Sequence, residues 1–119
     1  MLFRSNDLAD TIARLHAYQE AGADVLYAPG LVTREDISTV LREIDRPLNV
    51  LMGLGAVTLD AKTLFGLGVR RISVGGSLAR AAMGAFLRAA NEMREHGTFT
   101  YASTAVSHRE INAMFTRES

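Results

Sequence analysis

A strand-like segment that ends in glycine occurs three times in the middle of this chain. The copies run from Ala21 to Gly30 (AGADVLYAPG), from Asp45 to Gly53 (DRPLNVLMG) and from Leu67 to Gly76 (LGVRRISVGG). Their closing glycines, Gly30, Gly53 and Gly75, are 23 and 22 residues apart, and sequence with helical periodicity fills each gap. A strand, a glycine turn, a helix and a return strand make the βαβ unit, whose crossover takes at least about 10–12 residues. Such crossovers are right-handed and place consecutive strands in one parallel sheet. The pattern predicts an α/β fold of about three β/α units, with a helix before them and a C-terminal helix after them. A (β/α) barrel and an open parallel sheet are both built this way. At 119 residues neither is complete, since a closed eight-fold barrel takes about 250.

The elements follow from spacing and punctuation. Leu8, Ile12 and Leu15 recur at helical intervals between Asp7 and Glu20, and Gly22 follows where a left-handed residue ends a helix. Residues Asp24 to Ala28 read as a short buried strand. Thr33 caps a second helix, with Asp36 at the capping-box position and Ile37, Val40, Leu41 and Ile44 as its apolar stripe. Pro47 opens the strand Leu48–Met52, because proline at a first strand position loses no ladder bond. Thr58 is expected to cap a third helix that buries Leu59, Thr63, Leu64 and Leu67 and closes at Gly68. After the strand Arg71–Val74, Ser77 is expected to cap a long helix. Its apolar side carries Leu78, Ala82, Ala85, Phe86, Ala89 and Met93, suited to packing on a sheet or another helix. Gly97 to Ala105 reads as a polar loop. Ser107 and Glu110 then form a capping box for a short helix with Ile111, Met114 and Phe115 on its apolar face.

The whole chain, residues 1–119, is expected to be a single partial domain, with no internal linker. Three strands leave two open edges, and proteins normally cover or pair such edges. The chain is therefore expected to add a short N-terminal strand of its own, to self-associate through those edges or through the C-terminal helices, or to be a piece of something larger. The 13 basic and 13 acidic residues cancel, which argues against a nucleic-acid partner. The lack of cysteine excludes disulfides, thiolate metal sites and cysteine nucleophiles. No apolar run reaches the ~18–20 residues of a membrane span, and the N-terminus lacks the layout of a signal peptide. The expectation is a cytoplasmic protein with no membrane partner.

In parallel α/β folds ligands bind beyond the carboxyl ends of the strands. The third such end is the most suggestive. Gly75 and Gly76 expose backbone N–H groups, Ser77 begins a helix whose N-terminus favours an anion, and Arg80 lies within one turn. Two readings stand: an anion cradle, or a tight turn with a solvated arginine. Asn49, inside a strand, either contacts a bound ligand or makes a structural hydrogen bond. Tyr27, in phase with Val25, is expected in the core with its hydroxyl near the strand end. His16, His96 and His108 do not converge, and no metal-binding spacing or nucleophile elbow occurs. Arg70–Arg71 and Glu35–Asp36 read as solvated faces or caps. No side chain is singled out for catalysis.

The blocks Asp10–Asp24 (DTIARLHAYQEAGAD), Leu26–Leu31 (LYAPGL), Pro47–Leu51 (PLNVL) and Leu67–Gly76 are specific in combination. Together they closely resemble the C-terminal half of the isocitrate lyase/phosphoenolpyruvate mutase superfamily. The likeness spans residues 7–95 and leaves 96–119 as a loop and terminal helix. It implies a partial (β/α) TIM-type barrel comprising units six to eight. It also implies Mg²⁺-dependent cleavage or formation of C–C or P–C bonds in small carboxylates, through a pyruvate-like enolate. Members commonly form dimers of dimers that exchange the last barrel helix. The family's acidic magnesium ligands, its K-x-C-G-H-type loop and its arginine after strand five all lie upstream of the matched blocks. Mg²⁺ is thus implied while none of its ligands is found in this chain. Pro29-Gly30 stand where lyase members often have a glutamate. Leu51 stands where they often have an asparagine, with Asn49 two residues earlier. Arg80 matches a family arginine, as an anion or structural contact. The resemblance implies the C-terminal half of a Mg²⁺-dependent carbon–carbon lyase, inactive alone. The alternative is a non-catalytic half-barrel that oligomerises or binds anions at Asn49, Gly75, Gly76, Ser77 and Arg80.

Overall fold

The structure, a computed structural model, describes residues 7–53 and 59–116. The order of elements is α1 (Leu8–Glu20), β1 (Leu26–Tyr27), α2 (Arg34–Glu43), β2 (Leu48–Leu51), α3 (Ala61–Leu67), β3 (Arg71–Ser73), α4 (Ser77–His96), a 3-10 turn (Thr100–Thr104) and α5 (His108–Phe115). These elements fall into two compact units, residues 1–78 and 79–119, with the boundary near the start of α4.

The first unit is an α/β layer. Its sheet is parallel in the order β1-β2-β3, with Leu26 opposite Leu48, Tyr27 opposite Asn49, Asn49 opposite Arg71, Val50 opposite Ile72 and Leu51 opposite Ser73. Side chains alternate across a strand. Leu26, Leu48, Val50 and Ile72 therefore share one face, and Tyr27, Asn49, Leu51, Arg71 and Ser73 share the other. The first face is covered. Leu15 of α1, Ile37 and Val40 of α2 and Leu64 of α3 join Leu26, Leu48, Val50 and Val69 in one fully buried cluster.

Local chemistry explains the helices. Asp7 caps α1 by accepting the N–H groups of Ala9 and Asp10 at 2.9 and 3.2 Å. Gly22 leaves that helix at φ +97°. Thr33 caps α2 through the Asp36 N–H at 3.1 Å, and Ile37, Val40 and Ile44 are buried as the stripe requires. The ends of α1 and α2 are tied together. His16 Nε2 hydrogen-bonds the Glu43 carbonyl, and Gln19 accepts the Asp45 N–H at 2.9 Å. The cap of α3 is Asp60, whose carboxylate accepts the Thr63 N–H at 2.7 Å; Thr58, the expected cap, lies outside the described residues. Asp60 suits this position because its carboxylate accepts the N–H three residues on in a charge-assisted bond.

Four further expectations are corrected. The first strand is two residues long rather than five. Tyr27 and Val25 are exposed, not core, because they point away from the helix-covered face. Ser77 is the first helical residue of α4 rather than a cap before it. Finally, the apolar side expected to be covered in α4 buries nothing: Leu78 is 72% and Phe86 67% exposed. No helix among the described residues is long and apolar enough to cross a membrane.

The second unit is ordered by hydrogen bonds more than by burial. The Ser107–Glu110 capping box forms in both directions. In place of the expected loop, Glu92 organises the 3-10 turn. It accepts the hydroxyls of Thr98 and Thr100, both at 2.8 Å, and the N–H groups of Thr100 and Tyr101. Desolvation opposes its charge, but these four donors outweigh it and hold the carboxyl below its ordinary value. A depressed carboxyl pKa stabilises the fold above the unfolded pKa, about 4.3 for glutamate, and that contribution is lost as pH falls through the folded value. The Thr100 and Tyr101 amide resonances should hence move together in an acid titration below about pH 4.3. The Glu92→Gln variant should show no such transition in an NMR titration.

Candidate functional site

Because all three strands run the same way, their carboxyl ends lie along one edge of the sheet. At that edge the Met52 N–H donates to the Ser73 carbonyl at 2.8 Å, carrying the β2–β3 pairing one step past Leu51. Gly53 then turns at φ +82°. A Cβ on Gly53 would lie 2.5 Å from Ser77 Oγ and 2.7 Å from Ser77 Cβ. The end of β2 thus rests directly against the first residue of α4, an approach that only glycine permits. Gly75, at φ +52°, is less confined: a Cβ there would lie 3.4 Å from the Leu51 side chain, an ordinary contact.

The turn from β3 into α4 is closed by the Ser77 N–H, which donates to the Val74 carbonyl at 3.1 Å. Gly75 and Gly76 are exposed, and Ser77 is half-buried. The available donors are the glycine backbone and the serine hydroxyl, at the positive end of a 20-residue helix. Chemically, this arrangement suits the binding of a small anion.

Asn49 lies one step further into the sheet, on the same face as Leu51. It is only 2% exposed and donates from Nδ2 to Ser73 Oγ at 3.0 Å. Its Oδ1 has no partner among the described residues. One hydroxyl can pair with only one end of an amide, so one buried polar atom is left over whichever way the amide faces. Buried polar groups are ordinarily paired, which marks this acceptor as awaiting a donor. Asn49, Gly75, Gly76 and Ser77 all belong to the first unit. Arg80 belongs to the second, where its side chain is exposed.

Sequence reasoning missed Tyr27, Arg71 and Ser73 as neighbours of this site. They fall in register beside Asn49 and Leu51 on the same face of the sheet. Period-two counting outward from Leu26 and Ile72 would have placed them there. The donor set does not fit a magnesium site: no three carboxylate or histidine side chains are grouped among the described residues. Asp60 and Glu110 are engaged as caps. Hydrogen bonds from the Thr63 N–H and hydroxyl hold Asp60 below the usual carboxylate range, and those from Ser107 do the same for Glu110.

A family model described as phosphoenolpyruvate phosphomutase matches residues 1–94. The chain belongs to this family. Comparison with curated protein sequences gives no match. Among solved structures, a provisionally assigned lyase/mutase from Burkholderia cenocepacia is 56% identical, with a TM-score of 0.90 over 96% of this chain and 41% of its own. A 2,3-dimethylmalate lyase, a member of the phosphoenolpyruvate mutase/isocitrate lyase superfamily, is 22% identical, with a TM-score of 0.75 over 95% of this chain and 41% of its own. An oxaloacetate acetylhydrolase bound to its product oxalate is 20% identical, with a TM-score of 0.70 over 87% of this chain and 37% of its own. The last two likenesses are of fold. This family member spans about two fifths of the length of the structures it matches.

The Gly53–Ser77 contact makes a direct prediction. Gly30 and Gly53 both have positive φ, but only Gly53 faces a neighbour within 4 Å of its Cβ position. Gly30→Ala should cost about 1–2 kcal/mol of backbone strain. Gly53→Ala should cost more, and Ser77→Gly in the same chain should recover the difference. Urea unfolding of the three variants measures this, and equal costs for the two alanine substitutions would refute the contact.

Proposed function

We propose that this chain forms the last units of a (β/α) barrel in a cytoplasmic, Mg²⁺-dependent carbon–carbon lyase acting on small carboxylates, and that it is inactive by itself. The observation that carries this reading is the 56% identity, over 96% of the chain, to a structure assigned as a lyase/mutase. Three parallel strands joined by helices are what a segment of such a barrel requires. In this reading the backbone N–H groups at Gly75 and Gly76 and the Ser77 hydroxyl donate to a substrate carboxylate. Asn49 positions Ser73 and offers its free acceptor to a donor group. These groups bind and orient. An enolate forming beside a carboxylate needs fixed positive charge close by, and the described residues group no acidic cluster that would hold magnesium. No step through the metal is therefore assigned to this chain, and its ligands are placed in the portion of the family fold that the chain does not span.

Oxalate resembles a pyruvate enolate, so its binding tests the reading without a chosen substrate. Calorimetric titration of the folded 119-residue chain should show no magnesium-dependent oxalate binding. Saturable binding that requires Mg²⁺ would show that the chain holds its own metal site, and would overturn both the inactivity and the placement of the ligands.

One observation favours a second reading, a non-catalytic self-associating module. In α4 and α5, Met83, Phe86, Leu87, Met114 and Phe115 are all more than half exposed. Exposed apolar surface of this kind commonly marks an interface. Under this reading the chain sediments as an oligomer, and Phe86→Glu combined with Met114→Glu returns it to a monomer. A wild-type monomer at all concentrations would exclude it.

A further inference from the structure

Asn49 stands opposite Arg71 in the β2–β3 register, yet its amide bonds Ser73, two residues nearer the carboxyl edge. The side chain therefore leans toward the turn at Gly75 and Gly76 instead of reaching straight across the sheet. Two strand residues span about 7 Å, so Ser73 lies within a small molecule's length of the glycine N–H groups. Leu51, half-buried, stands beside the same step, with its Cδ1 3.4 Å from the Cβ position of Gly75. Asn49 itself is 2% exposed, which leaves its polar atoms to be satisfied by something other than bulk water.

The hydrogen bond within the pair fixes what each partner still has to offer. Asn49 Nδ2 donates to Ser73 Oγ at 3.0 Å, so the serine's own proton points elsewhere and remains a donor. Asn49 Oδ1, buried and without a partner among the described residues, remains an acceptor. A free donor beside a free acceptor is the complement of a carboxamide, whose C=O accepts and whose N–H donates. A carboxylate in the same place satisfies only the serine, and its second oxygen meets Oδ1 as acceptor against acceptor. We propose that the Asn49–Ser73 pair selects, as ligand of this site, a small monocarboxylate that bears a carboxamide, over dianions of the same size. The ligand's carboxylate takes the donors of Gly75, Gly76 and Ser77, and its amide takes Asn49 and Ser73. The selection rests on the carboxylate-binding reading of that turn and adds to it the class of ligand.

Oxamate and oxalate test the selection, since they have nearly the same shape and differ in an NH2 group for an oxygen. In calorimetric titration of the 119-residue chain without magnesium, oxamate should bind about tenfold or more tighter than oxalate. In an NMR titration, oxamate should shift the Asn49 side-chain amide resonances together with the Gly75 and Gly76 backbone resonances. Asn49→Leu removes the acceptor at similar volume and should abolish the preference. Ser73→Ala, a milder change, frees the Asn49 amide to turn and present Nδ2. It should abolish the preference as well, and it covers the case in which the leucine variant unfolds. Equal binding of the two ligands by the unaltered chain, or tighter binding of oxalate, would overturn the selection while leaving the anion cradle standing. A preference that survives both substitutions would overturn it too. Binding of neither ligand would remove the cradle and the selection together, whereas magnesium-dependent oxalate binding bears on the lyase reading alone.

Discussion

The packing of Leu48 and Val50 against Leu15, Ile37, Val40 and Leu64 is the contact on which the first unit depends. Burying a side chain of this size is worth about 1.5–3 kcal/mol. A one-residue slip of β2 would exchange its two faces and forfeit that burial. The register is thereby fixed, and with it the side of the sheet to which Asn49 and Leu51 are assigned. Leaving a buried acceptor unpaired costs about 1–3 kcal/mol. The unpartnered Oδ1 of Asn49 thus offsets roughly the gain from one core residue, a cost that the rest of the cluster can absorb.

From that register follows the convergence at the carboxyl edge. With β2 and β3 held parallel and paired to Met52, Gly53 has nowhere to go but against Ser77. The result is a short, dense junction built from backbone, at which side-chain volume is excluded on the β2 side. Such a junction can present N–H groups and a hydroxyl at fixed positions, which suits holding a carboxylate. The described residues around it group no carboxylates or histidines for metal binding. In the proposed reading this segment binds and orients, and the harder chemistry of a carbon–carbon lyase belongs to the part of the family fold that the chain does not span.

The second unit reaches order by other means. Its helices bury no residue, and hydrogen bonds take the place of packing. Glu92 gathers four donors from Thr98, Thr100 and Tyr101, and Ser107 and Glu110 close a capping box at the start of α5. These bonds define local shape but supply little of the apolar burial that makes a unit stable on its own. The exposed apolar residues Met83, Phe86 and Leu87 of α4 are suited to a neighbour.

Features that depend on residues within about four positions were legible in the chain itself. The glycines at Gly22 and Gly68, the Thr33 cap, the Ser107–Glu110 box and the stripe of α2 all stand where spacing placed them, because each is a contact within one helical turn. The three parallel strands were legible for a related reason: the glycine-punctuated repeat leaves room for one helix per crossover. Other features were decided only by tertiary structure. Tyr27 and Phe86 are apolar residues in apolar patterns, yet they are exposed, because burial needs a second surface and no local pattern states whether one is there. Asn49 could be read as polar and strand-borne, but its link to Ser73 and its unpaired oxygen arise from register between segments 24 residues apart. The contact of Gly53 with Ser77 has the same origin. Sequence determined which elements form and where they turn, since those are short-range choices of backbone conformation. Which faces are covered, and what meets at the end of the sheet, was decided by packing between elements distant in the chain.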